Sequence, residues 1–250
     1  MSKMLEVKDL SINFGGIKAV RDFSFDIEEG EILALIGPNG CGKSTTVNLI
    51  SGVSTPNTGT IKYQGEFLTK KHSIATRSKM GIGRTFQTPK PFGFLSVYDN
   101  VFSITLQRHG FKEARAKTNE ILKMFELDMV CEEPSIKLPI EKRKWLDLAR
   151  VMATEPKLVM MDECMAGLNP NEMQENLELV KRINKTGVTI LFIEHVMRAV
   201  VSVCTRAVVM NEGTFLFEGT PETALKNADV IRAYIGGAAT ETPDESKGGE

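Results

Sequence analysis

Apolar and polar positions divide the chain into segments of different period. Near the start, Leu5–Val7, Ser11–Phe14 and Phe23–Ile27 are short β-type runs, separated by the turn formers Gly15-Gly16 and Glu28-Glu29-Gly30, which predicts an antiparallel sheet. Glu31–Ile36 is a continuous aliphatic run that ends in glycines and leads into Ser44–Ile50, whose pattern is helical; the order is strand, glycine-rich loop, helix. Two later runs, Leu158–Met161 and Thr189–Ile193, are apolar throughout and end in Asp162-Glu163 and Glu194-His195. Apolar runs closed by polar residues are what the C-terminal edge of a parallel sheet looks like, and ligand chemistry collects along that edge. From about Pro89 to Glu155 charged residues interleave at helical spacing, across Lys112–Phe125 and Lys142–Met152, predicting a helical insertion. Arg206–Phe217, centred on Asn211-Glu212-Gly213, reads as a β-hairpin. Gly236–Glu250 is polar and glycine-rich and reads as a disordered tail after a folded unit spanning 1–235. The expected class is α/β.

Composition narrows the function without naming it. With 250 residues, 42% hydrophobic and 25% charged, the chain can bury a substantial core. The formal net charge of -1 and the lack of any long block of one sign argue against nucleic acid and against an anionic membrane surface. The four cysteines, Cys41, Cys131, Cys164 and Cys204, form no C-x-x-C pair, which argues against zinc and fits a reducing compartment. They read as packing residues. The first residues contain no signal-peptide-like stretch, and the longest apolar runs fall far short of the roughly 20 residues of a membrane span. The expectation is a non-exported chain whose membrane role would require another polypeptide.

The glycine-rich loop carries the first chemistry. Gly37-Pro38-Asn39-Gly40-Cys41-Gly42-Lys43-Ser44 fits G-x-x-x-x-G-K-[ST], a phosphate-binding P-loop. Its glycines let backbone N–H groups wrap phosphates, the helix behind adds positive potential, Lys43 reaches the terminal phosphates, and Ser44 is placed for Mg²⁺. With Thr45, these residues form the candidate ATP-binding set. A chance match occurs in about one in a hundred chains of this length at average residue usage, and the strand before and helix after lower that further. Leu158–Met161 followed by Asp162-Glu163 matches a Walker B strand, with Asp162 a metal ligand and Glu163 the base that orients and deprotonates water. Acids at strand ends are common, so this pair gains weight from the P-loop. His195, one strand further on, would alone read as a structural histidine; beside Asp162-Glu163 its imidazole can hydrogen-bond a γ-phosphate or the water. Gln87 sits where the core gives way to the helical insertion, so its amide could report bound metal and nucleotide to that insertion.

P-loop, Gln87, Asp162-Glu163 and His195, in this order and spacing, resemble an ABC ATPase over nearly the whole chain. The resemblance implies a P-loop NTPase fold with an antiparallel β subdomain and an inserted α-helical subdomain at about 89–155. It also implies Phe14 stacked on adenine, Gln87 as the Q-loop glutamine and a further Mg²⁺ contact, Ala166–Asn169 as the D-loop, and His195 as the switch histidine. Phe14 also has a plain reading as a strand core residue. Phe14–Val20, Gly37–Gly40, Arg84–Gln87, Ala166–Pro170 and Asp229–Gly236 are similar to LivG-type ATPases of branched-chain amino acid importers. That implies ATP hydrolysis coupled to uptake, at the cytoplasmic face of the inner membrane. The implied partners are separate permease subunits, a second ABC ATPase and, indirectly, a solute-binding protein, with no nucleic acid. A soluble ABC protein of translation or repair, and a regulatory cassette with weak hydrolysis, are the competing readings.

One segment departs from the family pattern. Where Leu-Ser-Gly-Gly-Gln is usual, this chain has Leu138-Pro139-Ile140-Glu141-Lys142. In the family that segment clasps the γ-phosphate bound to the opposite subunit; Pro139 brings neither hydroxyl nor N–H, and Glu141 adds negative charge. Pro139 equally reads as a residue that opens a helix. Lys142, Arg143 and Lys144 read either as compensating charge or as a solvated face. Together these features imply an asymmetric heterodimer.

Overall fold

The structure, a computed structural model, describes residues 2–86 and 88–238; Met1, Gln87 and residues 239–250 lie outside the described residues. β1 (Lys3–Phe14) and β2 (Ile17–Glu28) form a long antiparallel hairpin, and β3 (Ile32–Ile36) runs through the glycine-rich loop into α1 (Lys43–Ser51). β4 (Thr58–Tyr63) and β5 (Glu66–Phe67) return to the first sheet, whose order is β2-β1-β4-β5. After α2 (Ile74–Met80), β6 (Ile82–Arg84) is followed by α3 (Val97–Thr105), α4 (Phe111–Met124) and α5 (Ile140–Met152). The chain continues through β7 (Leu158–Asp162), α6 (Pro170–Lys185), β8 (Thr189–Ile193), α7 (Met197–Val203), β9 (Arg206–Asn211) and β10 (Thr214–Gly219). It closes with α8 (Pro221–Lys226) and α9 (Ala228–Ala238). The second sheet has the order β10-β9-β3-β8-β7-β6, parallel except at the β9-β10 hairpin.

Two differences from the sequence reading have local causes. Leu5–Val7 and Ser11–Phe14 belong to one strand, because the polar interruption at Asp9 is a bulge with φ 50° and not a turn. β2 carries a second bulge at Asp22, φ 44°, and the serine opposite each bulge satisfies it: Ser24 Oγ accepts from Asp9 N–H at 2.8 Å and Ser11 Oγ from Asp22 N–H at 2.9 Å. At the other end, α9 runs through Gly236-Gly237 to Ala238, so the first three residues of the segment expected to be disordered are helical.

The central strands β3, β7 and β8 are buried along their whole length, as strands covered on both faces must be. Alternation then splits the core in two. Ile32, Ala34, Ile36, Val159, Met161, Ile190 and Phe192 pack with residues of the helices α3–α8. Leu33, Leu35, Leu158, Met160, Leu191 and Ile193 pack against α1 and the first sheet. The C-terminal ends of β3, β7 and β8 therefore reach a common edge, held by β3-β8 and β7-β8 pairing.

Candidate active site

The P-loop leaves β3 by a tight approach to β9. Gly37 has φ +152°, and a Cβ there would overlap the Met210 carbonyl oxygen; at Gly42, φ +109°, a Cβ would stand 2.6 Å from Ala19 O. Only glycine fits either place. Cys41 plugs the loop from beneath, and burial pushes its thiol up, so it stays a neutral packing residue. Gly42 caps α1 without a side chain, leaving the N–H groups of the first turn without an intrahelical acceptor. Lys43, buried, folds back to donate to Gly37 O at 2.7 Å and Pro38 O at 3.0 Å. Beside it opens a cleft of about 150 Å³ lined by Ala19, Asn39, Gly40, Gly42, Lys43, Ser44, Thr45 and Glu163. An ammonium, unpaired helix N–H groups and a carboxylate around one small cleft fit a phosphate anion with a base alongside it.

Asp162 ends β7, and Glu163 follows in the left-handed region, φ 50°. A non-glycine residue there is strained by roughly 1–2 kcal/mol, and Glu163 N–H donates to Ile193 O, at the end of β8, at 2.9 Å. Asp162 is buried; burial pushes its carboxyl up, opposed by Arg84, whose Nη2 lies 3.2 Å from Oδ2. Arg84 also donates from Nη1 to Asn48 Oδ1 at 2.5 Å, one helical turn beyond Ser44 on α1, and its guanidinium lies 5.2 Å from the Phe86 ring centre. The exposed Ser44 hydroxyl and the Asp162 carboxylate are hard oxygen donors, and that a cation already sits on Asp162 fits a position built to hold positive charge.

His195 is exposed just beyond β8, and Phe14 is 51% exposed at the hairpin tip opposite Ile17; neither lines the 150 Å³ cleft. Gln87 lies outside the described residues. α5 begins where the altered segment stands, with Pro139 as its N-cap and Glu141 in its first turn. Arg143 and Lys144 do not form a solvated face. Arg143 donates to Leu138 O at 2.9 Å, and Lys144 to Cys164 O at 3.2 Å and to Ala166 O. Lys142 lies 3.8 Å from the Trp145 ring centre. Two further residues belong to the site: Arg84, which in the sequence is only part of a motif, and Glu194, which there is only a strand-ending acid. Neither carries a sequence signal, since their roles come from pairing across strands.

Residues 20–166 match the ABC transporter family, more than half of the chain. The chain belongs to the ABC transporter ATPase family. It is 37% identical to the high-affinity branched-chain amino acid transport ATP-binding protein LivG of Salmonella typhimurium, covering 94% of this chain and 98% of that one. It is 34% identical to BraF of Pseudomonas aeruginosa, a high-affinity branched-chain amino acid transport ATP-binding protein, over the same shares. Among solved structures, the ADP conformation of MJ1267, an ATP-binding cassette of an ABC transporter, superposes with a TM-score of 0.85 at 27% identity, covering 94% of this chain and 100% of that one. CbiO1 from Clostridium perfringens, part of an ABC transporter complex, gives 0.84 at 28%, covering 93% of this chain and 94% of that one. The ABC ATPase binds nucleotide and hydrolyses ATP to power transport. No helix among the described residues is long and apolar enough to cross a membrane. ABC ATPases of transporters work with membrane permease subunits.

Proposed function

We propose that this ABC ATPase energises an importer for branched-chain amino acids or a related small polar solute, docked on separate permease subunits at the cytoplasmic face of the inner membrane. The observation that carries the catalytic part is the single cleft lined by Lys43, Ser44 and Glu163. Lys43 turns from the carbonyls of its own loop to the terminal phosphates, and the N–H groups of the P-loop and of the first turn of α1 hold the phosphate chain. Ser44 and Asp162, with Gln87 as a further donor, would hold Mg²⁺, which would supply positive charge against the phosphates. Glu163 takes a proton from the attacking water, His195 donates to the γ-phosphate, and Phe14 stacks on the base. The full-length likeness to LivG and BraF supports the solute class.

The permease-facing surface lies, in this reading, at a groove of about 290 Å³ that includes Val53, Ile74, Phe86, Ile104 and Arg150, between the core and the inserted helices. Phe92 and Phe94, 53% and 91% exposed, stand in the segment leading into α3. The ATPase partner is a second cassette with an ordinary signature. Pro139 and Glu141 at the start of α5 disfavour the γ-phosphate of the partner's nucleotide, and a lost preorganised donor lowers rate by about 10²–10³. The site built on this chain's Lys43 and Glu163 is then the faster of the two. The test is ATP-driven uptake of labelled leucine, urea and an aromatic amino acid by vesicles carrying this chain assembled with permease subunits, a second ATPase and a solute-binding protein. Leucine uptake that disappears with Lys43→Ala supports the reading. ATP hydrolysis without uptake of any solute, or crosslinks from cysteines at 90–95 reaching soluble proteins alone, would overturn it.

A further inference from the structure

Glu194 is wholly buried, yet it is a carboxylic acid beside the site and takes no part in the scheme above. Its Oε1 accepts the Met165 N–H at 2.8 Å, and its Oε2 has no hydrogen-bond partner among the described residues. Ile193, the residue before it, accepts the Glu163 N–H at 2.9 Å. The end of β8 therefore grips two alternate N–H groups of the turn that follows β7. From the other side, Lys144 on α5 donates to the carbonyls of Cys164 and Ala166, on that same turn. The Cys164 thiol lies against the Glu194 carboxyl, each perturbing the other.

This arrangement explains how Glu163 is kept in a left-handed conformation. Strained backbone persists only where its surroundings over-determine it, and such residues gather at functional sites. Glu194 and Lys144 hold the two ends of one peptide, the Met165 N–H and the Cys164 carbonyl, so without them that peptide is free to turn over and the turn after Glu163 relaxes, moving its carboxylate by about an ångström. A displacement of that size is enough to lower turnover by about 10²-fold while leaving binding alone. Lys144 lies in the second turn of α5, whose N-terminus is the altered segment Leu138–Lys142, so the same clamp joins the helix serving one nucleotide to the base serving the other.

We propose that Glu194 and Lys144 are positioning residues that clamp the Glu163–Ala166 turn and so hold the Glu163 carboxylate in place. The inference rests on reading Glu163 as the base. The test is steady-state ATP hydrolysis by the assembled transporter carrying Glu194→Ala, Glu194→Gln, Lys144→Met or Glu163→Gln, with kcat and KM measured separately. Glu194→Ala should lower kcat by roughly 10–10²-fold with KM for ATP within about threefold of the parent. Glu194→Gln should stay near the parent, since its amide oxygen keeps the Met165 bond. Lys144→Met should lower kcat by roughly tenfold with KM unmoved. Should Glu194→Ala fail to fold, Glu194→Gln and Lys144→Met still decide. Parental kcat in Glu194→Ala or Lys144→Met while Glu163→Gln is inactive overturns the clamp alone; so does equal loss in Glu194→Ala and Glu194→Gln, or a parallel rise in KM. Parental turnover in Glu163→Gln would instead overturn the assignment of the base.

Discussion

Arg77 offers the sharpest stability test, because a helix carrying the phosphate-binding residues ends on it. The last carbonyls of α1 have no intrahelical donor. Arg77, 4% exposed, reaches across from α2 and donates from Nη1 to Leu49 O and Ile50 O, both at 2.7 Å, and from Nε to His72 O at 3.0 Å. The preceding carbonyl, Asn48 O, is taken by Ser54 N–H at 3.1 Å, so the α1 terminus is satisfied only while Arg77 stays. Arg77→Met fills similar space but orphans three carbonyls. Buried acceptors left unpaired cost about 1–3 kcal/mol each, and partial rehydration in the vacated space brings the total to about 3 kcal/mol. For a chain of this size that lowers Tm by roughly 6–12 °C. Urea unfolding of the isolated chain should show the midpoint shifted at constant slope. Arg77→Lys should recover only part of the loss, since one ammonium replaces a fork. A loss below about 1 kcal/mol for Arg77→Met would refute this account of how α1 ends.

Arg84→Met leaves the buried Asp162 carboxylate without its cation, so Tm in EDTA should fall by an amount reflecting about 3 kcal/mol, and MgATP should narrow the gap. An identical gap in EDTA and in MgATP would contradict a shared position on Asp162. Gly37→Ala should abolish nucleotide binding or destabilise by more than about 3 kcal/mol, because its methyl meets the Met210 carbonyl; parental binding and Tm would contradict that. Glu194 has its carboxyl pushed up by burial, so the folded chain holds that proton more tightly than the unfolded chain. Stability therefore declines as pH rises above the unfolded value of about 4.3 toward the folded one. Glu194→Gln removes that decline. Its stability relative to the parent, from urea midpoints, should grow between pH 5 and pH 8; a constant difference would contradict the sign.

Local chemistry made the P-loop legible in the sequence. Gly37 and Gly42 announce a loop that no side chain could enter, and the structure gives the reason in the Met210 and Ala19 carbonyls. β7 and β8 were legible because strands buried on both faces are apolar throughout. β1 was not read as one strand, since the bulge at Asp9 looks like a turn until Ser24 is known to face it. α3 falls inside the helical insertion expected from about 89 to 155, whereas α6 is not legible, because its apolar positions are spread among polar ones that meet water or cap the helix, as in the capping box of Asn169 and Glu172. Arg84 and Glu194 could not be assigned from sequence at all. Each acts on a residue at a neighbouring strand's end, Arg84 on Asp162 and Glu194 on Met165, and strand order is not written locally.

The central claim is that ATP bound on Lys43 and Ser44 is hydrolysed by water activated at Glu163. Phosphate release from the assembled transporter at saturating MgATP, with Glu163→Gln in this chain alone, tests it most directly. Nucleotide binding should be retained while turnover falls by about 10²–10⁴, the usual worth of a general base. Turnover at the parental rate would contradict the account.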